Sequence, residues 1–309
     1  MVNKMRRFMS KTKASLEMFR SPNFRFLKFS PPGHFYSPIP DLLDLNTRRR
    51  VIFDKSVTEI PGIELNVEDQ LSLLNTFSDY YPQFPFQERK TPDLRFYLDN
   101  SYFTYCDSLA LYGFIRYQKP RTIIEIGSGY SSAEMLDLND LLFKNAIEFV
   151  FIEPYPVRLR GLLRSVDKEG CEILDQPIQA VPLNLFTKLN EGDILFIDSS
   201  HISKTGSDVN HILSNILPSL KKGVVIHFHD ILWPFEYPEI WVDEGRAWNE
   251  AYLLRAFLQY NQAFKILLFN SFIETHHSEQ LERQFPISMR KPSNRLTCGN
   301  TSLWLRKMT

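Results

Sequence analysis

The chain has 309 residues, 43% of them apolar, with 36 basic and 36 acidic side chains and a formal net charge of zero. This suits one large domain, or one domain with an extension, and the charge balance gives no electrostatic footprint for nucleic acid. No apolar run approaches the ~20 residues a membrane-spanning helix needs. Three widely spaced cysteines, Cys106, Cys171 and Cys298, form neither a zinc-knuckle pair nor a disulfide framework, and so point to a cytoplasmic protein.

In chain order, the basic start (Lys4, Arg6, Arg7, Lys11, Lys13) has no apolar stretch behind it and reads as a solvated end rather than a secretory signal. Residues 1–92 read as an N-terminal extension, punctuated by Pro31, Pro32, Gly33, Pro38, Pro40, Pro82 and Pro85. One helix is expected within it near 66–80. Asn66 is its cap, and Leu71, Leu73, Leu74 and Phe77 form its apolar face.

Residues 93–309 read as a domain of alternating helices and strands. A helix over Leu109–Tyr117 ends at Lys119-Pro120. Short apolar runs, each the mark of a strand buried on both faces, follow at 122–126, 148–152, 171–174, 193–197, 224–228, 264–269 and 302–306. Helices are expected after the first strand and over 157–167, 208–220 and 248–260. The implied architecture is α/β: a Rossmann-like, seven-stranded, mainly parallel sheet with helices on both faces. In such sheets ligands bind beyond the carboxyl ends of the strands, so the residues just past each strand are the candidate site.

After the first strand come Glu125-Ile126-Gly127-Ser128-Gly129-Tyr130-Ser131-Ser132. Two glycines permit a tight turn and close backbone approach to a ligand. A carboxylate at Glu125 repels pyrophosphate and suits a cationic ligand. The second strand ends at Glu153, and Asp175-Gln176 follow the third. The fourth runs into Asp198-Ser199-Ser200-His201 and the fifth into His227-Phe228-His229-Asp230. Adjacent strands would bring these acids and imidazoles to one sheet edge, where burying them without a purpose is costly. His227, inside an apolar run, reads as a core histidine.

The Glu-x-Gly-x-Gly turn at Glu125, Gly127 and Gly129 resembles motif I of class I S-adenosylmethionine-dependent methyltransferases, with Ser131 in the third small position. The resemblance implies S-adenosylmethionine as cofactor. Glu125, Gly127, Ser128, Gly129 and Ser131 would face its amino-acid part, Glu153 its ribose, Asp175 and Gln176 its adenine, and Asp198 would complete the cofactor site. The layout after the fourth and fifth strands also resembles the catechol-type O-methyltransferases, with His201 in place of a lysine base and His229-Asp230 in place of an Asp-Asn pair. The expected function is methyl transfer to an O or N atom of a small-molecule acceptor. His201 or His229 would be the base, assisted by Asp230, and a divalent metal on Asp198, His229 and Asp230 is a secondary expectation. The aromatic segment Trp233–Trp248 would wall the acceptor, with His34 and Tyr102 as further contacts.

Three other readings compete. An NAD(P)-dependent oxidoreductase shares the sheet, but the turn lacks G-x-G-x-x-G spacing. An iron hydroxylase on this scaffold would use two histidines and a carboxylate. A non-catalytic binding protein of the same fold is the third. The sequence leaves open the acceptor, the oligomeric state and the role of residues 1–92.

Overall fold

The computed structural model describes residues 21–309 other than 166, 168, 169 and 295, so the basic run before residue 14 lies outside the described residues. The chain divides into two units, residues 1–54 and 55–309. In the first, α1 spans Phe24–Phe29 and α2 spans Leu42–Ile52. Asp41 caps α2 by accepting from the Leu43 N–H at 2.8 Å.

The second unit begins with α3, Val67–Ser78, whose buried face carries Gln70, Leu74 and Phe77. Helix α4, Tyr105–Gln118, is buried from Tyr105 to Ile115. A helix apolar nearly all round belongs inside the protein, and α4 lies against the sheet with Phe114 stacked on Trp304 at 4.0 Å.

The sheet has seven strands, β1 (Thr122–Ile126), β2 (Glu148–Ile152), β3 (Cys171–Leu174), β4 (Ile194–Ile197), β5 (Val225–Phe228), β6 (Phe264–Phe269) and β7 (Leu303–Lys307). Their order is β3-β2-β1-β4-β5-β7-β6. All pairings are parallel except those of β7, which runs antiparallel between β5 and β6. The four central strands β2, β1, β4 and β5 are buried along almost their whole length, which requires helices on both faces. The remaining helices are α5 (Tyr130–Leu138), α6 (Val157–Leu162), α7 (Asp208–His211, continued by a π-helical turn at Ile212–Ile216 and ending Leu217–Ser219), α8 (Glu239–Asp243), α9 (Glu250–Leu258), α10 (Asn270–His276) and α11 (Ser278–Gln284).

Two helices differ from expectation for local reasons. Helix α6 stops at Leu162 rather than 167. Gly161 weakens its last turn, and Asp167 turns back to accept from the Arg164 N–H. Helix α7 contains the π turn because Pro218 has no N–H to continue an α ladder. Ahead of the domain, Arg95 is buried among Asp137, Asp140 and Asp167. Those ion pairs fasten the approach to the domain onto α5 and onto the segment after α6.

Candidate functional site

The strand order places the switch point between β1 and β4, and there the ends of β1, β2, β4 and β5 lie side by side. Gly127 N–H donates to Ile152 O at 2.9 Å and Asp198 N–H to Ile126 O at 2.8 Å, extending the ladder one residue past the strands. Gly127 has a φ of +79°, and a Cβ there would fall 1.9 Å from the Asp198 carbonyl oxygen. Only glycine fits. The sequence expected the glycines to admit a ligand, whereas at Gly127 the close neighbour is strand β4.

Glu125 lies beneath the turn, with no exposed surface. It accepts from Ser131 Oγ at 2.5 Å and from Ser132 Oγ. Ser132 Oγ in turn accepts the Gly129 N–H at 2.9 Å. The acid therefore ties β1 to the first turn of α5, and burial pushes its pKa up to about 8 against the two serine hydroxyls. Glu153 stands at the rim, half-buried, accepting from Ser128 N–H at 3.2 Å and Tyr155 N–H at 2.8 Å. Asp175 is exposed and paired with Arg160 at 2.8 Å, and Gln176 beside it is half-buried.

Asp198, His201, His229 and Asp230 meet in a cavity of about 340 Å³ walled by Tyr102, Trp241, Arg246 and Trp248, with Cys298 and its neighbours closing one side. His201 Nε2 lies 3.3 Å from Asp198 Oδ1 and 3.5 Å from Asp230 Oδ2, while its Nδ1 lies 2.9 Å from Glu250 Oε2. His229 Nε2 is 3.7 Å from Asp230 Oδ1. His201 and Asp230 both take left-handed backbone, with φ of 60° and 58°. Such strain in non-glycine residues concentrates at functional sites. The bend at His201 is held by its carbonyl, which accepts the Asn249 and Glu250 N–H groups at 3.0 and 3.1 Å.

Burial works against a charge on both imidazoles, but their neighbours win. Hydrogen bonds that its ring donates to Asp198 and Glu250, and the charge of Asp230, hold His201 well above its ordinary value. Asp230, Asp198 and Asp107 raise His229. Asp198 is held low despite desolvation by its His201 hydrogen bond and the nearby charges of His229 and Arg158. His227 is a core residue: it stacks on Phe196 at 3.7 Å, bonds Ser302 Oγ at 2.9 Å, and is driven well below its usual value by burial and by His229.

Among the described residues, the group able to share one ion is Asp198, His201 and Asp230, with a ligand atom from each within 4.8 Å of the others. His201 thus stands where the sequence placed His229. Two carboxylates and one imidazole form an oxygen-rich set, unlike the two-histidine set of a non-haem iron centre. Glu250 was not singled out as a site residue from the sequence. Its signal was an acid on the same helical face as Leu254 and Leu258, a position that only a buried partner justifies. Arg158 was also missed. Its guanidinium stacks on Tyr102 at 3.7 Å, and its Cδ would lie 3.2 Å from a Cβ at Gly129. Of the aromatic segment, Trp233, Phe235 and Tyr237 are core, and Trp241 and Trp248 face the cavity. Tyr102 lines it as expected, while His34 belongs to the other unit.

The sheet order, the glycine turn after β1 and the acid after β2 define a class I methyltransferase. Residues 124–231 match the family model described as a methyltransferase domain. A protein of Archaeoglobus fulgidus, named only as uncharacterized, is 39% identical over 172 residues, covering 54% of this chain and 76% of that protein. The chain belongs to the class I S-adenosylmethionine-dependent methyltransferase superfamily. Solved structures are similar at low identity. A methyltransferase of Podospora anserina bound to S-adenosylhomocysteine is 16% identical with a TM-score of 0.41, the match covering 88% of this chain and 99% of that one. An O-methyltransferase of Streptomyces achromogenes is 13% identical with a TM-score of 0.38, covering 86% and 96%. No helix among the described residues is long and apolar enough to cross a membrane.

Proposed function

We propose that the protein transfers the methyl group of S-adenosylmethionine to an oxygen or nitrogen atom of a small-molecule acceptor held in the cavity between Tyr102, Trp241 and Trp248. The observation that carries this reading is the convergence of Asp198, His201, His229 and Asp230 in that cavity, beside the glycine turn. Its volume, about 340 Å³, suits a small molecule, and three unpaired cysteines suit a reducing, cytoplasmic setting.

The residues present fit the cofactor. Glu153 offers a half-buried carboxylate at the end of β2, suited to the two ribose hydroxyls. The Gly127–Gly129 turn with Ser128 would border the amino-acid part, and Arg158 is placed to meet its carboxylate. Asp175 and Gln176 would flank the adenine. When bound, the cofactor supplies an electrophilic methyl group. Glu125 and Ser131 act from beneath, holding the turn to α5.

Proton removal falls to His229. His201 is surrounded by Asp198, Asp230 and Glu250, which keep its proton in place, whereas His229 has a single carboxylate beside its Nε2. Asp198, His201 and Asp230 also fit a divalent ion, because Glu250 takes Nδ1 of His201 and leaves Nε2 for a ligand role. Such an ion would lower the pKa of an acceptor hydroxyl.

The test is calorimetric titration with S-adenosylhomocysteine, with NADH as control, on the protein and on Glu153→Ala. Binding of S-adenosylhomocysteine alone is expected, weakened roughly tenfold or more in the variant. Absence of binding, with and without added metal, would overturn the reading.

A further inference from the structure

Charge is divided unevenly along the chain. Residues 1–54 hold 11 basic and 4 acidic side chains, whereas the whole chain has 36 of each kind. The first unit therefore carries an excess of seven positive charges, and residues 55–309 carry an equal negative excess. The apolar side chains of that unit are not gathered into a core: among its described residues Leu45 alone is buried.

Helix α1 has no buried residue, although Phe24, Phe26, Leu27 and Phe29 lie in it. At helical spacing Phe26 and Phe29 share one face, and Arg25 and Lys28 share the next. Phe29 is 76% exposed and stacks on Tyr36 at 6.2 Å. Tyr36 lies 4.3 Å from Phe35, itself 80% exposed. Ile39, Leu42, Leu43 and Val51 are exposed as well. Single apolar side chains at a surface are ordinary. Exposed rings in mutual contact, beside arginine and lysine, mark a surface that a partner covers.

We propose that residues 1–54 bind the surface of an anionic lipid bilayer, with the rings of Phe26, Phe29, Phe35 and Tyr36 among the headgroups and the surplus basic side chains on the lipid phosphates. Amphipathic rings settle at that level of a bilayer, and basic side chains beside them add electrostatic attraction. Nucleic acid would use the rings as stacking platforms but gains nothing from exposed isoleucine, leucine and valine. A protein partner needs a face of fixed outline, whereas lipid conforms to side chains projecting from two short helices and the turn between them. The negative excess of residues 55–309 is repelled by the same lipids, so charge alone makes the first unit the one that docks. Helices α1 and α2, of 6 and 11 residues, are too short to span the bilayer and would lie on it.

The experiment is co-sedimentation of the full-length protein with vesicles of phosphatidylcholine alone and of phosphatidylcholine with about one-third phosphatidylglycerol, in low and in physiological salt. Binding to the anionic vesicles is expected to be roughly tenfold or more tighter than to the neutral ones, and to weaken as salt rises. The double variants Phe29→Ser/Phe35→Ser and Arg25→Gln/Lys28→Gln should each weaken it about tenfold. All four side chains are exposed, so the fold does not depend on them. No binding to the anionic vesicles, equal binding to both kinds, or undiminished binding by Phe29→Ser/Phe35→Ser would overturn the proposal. So would tighter binding to polyuridylate than to vesicles, which would assign the surface to nucleic acid. A dimer in sedimentation equilibrium that Phe29→Ser/Phe35→Ser dissolves would assign it to a second copy of the chain and overturn the proposal equally.

Discussion

Replacing Glu125 by glutamine tests how the buried acid of the first turn is accommodated. Its pKa is moved from 4.5 to about 8, chiefly by desolvation. The folded-state value lies above the unfolded one, so between these limits the folded protein binds more protons and its stability falls as pH rises. At ~1.4 kcal/mol per pH unit, the loss approaches the order of 4 kcal/mol once pH passes about 8. It is absent below about 4.5, where both states are protonated. Glutamine cannot ionise; its Oε1 can still accept from one serine hydroxyl, and its amide nitrogen can donate to the oxygen of the other. Urea unfolding of the two proteins at pH 5, 7 and 9 should therefore show Glu125→Gln gaining on the natural protein as pH rises, by roughly 2–4 kcal/mol over the series. A difference that stays constant with pH would refute the account. It would mean that Glu125 is already ionised in the fold and that its serine hydrogen bonds outweigh burial.

Gly127→Ala should destabilise the protein by at least about 3 kcal/mol in urea unfolding, since left-handed backbone costs alanine ~1–2 kcal/mol and the Asp198 carbonyl cannot retreat from the new Cβ. Gly129→Ala should cost less, because its nearest neighbour is the flexible Arg158 side chain. Manganese titration followed by electron paramagnetic resonance should show one bound ion. Its affinity should fall roughly tenfold or more in Asp198→Asn and Asp230→Asn, and about tenfold in Glu250→Gln, which leaves His201 without its orienting partner. Equal affinity in all four proteins would remove the ion from that cluster.

The sheet was legible because its strands are short, largely apolar runs bounded by turn residues, and the four central ones are buried on both faces. The short helices α8, α10 and α11 were not, since they carry few apolar positions and no side-chain caps. Asp198, His201, His229 and Asp230 could be found by looking just beyond the carboxyl end of each strand, and the structure brings all four together. Which histidine sits with which carboxylate could not be read that way. It depends on the left-handed turns at His201 and Asp230, and the first of these is held from a distance by the start of α9 docking on the His201 carbonyl. Glu250 lies 49 residues from His201, the imidazole it holds. No local pattern announces such a partner. The only sign it gives is an acid in a helix otherwise committed to the core.

The same geometry gives the cavity an excess of acidic groups. Asp198, Asp230 and Glu250 surround His201, and His229 adds one more imidazole. With both rings protonated, the five groups still sum to one negative charge; with both neutral, to three. A base must give up its proton, and doing so here deepens an unfavourable charge unless something positive arrives first. In the reaction proposed above, a sulfonium cofactor, or an ion on Asp198, His201 and Asp230, would supply that charge and oppose the carboxylates that raise His229.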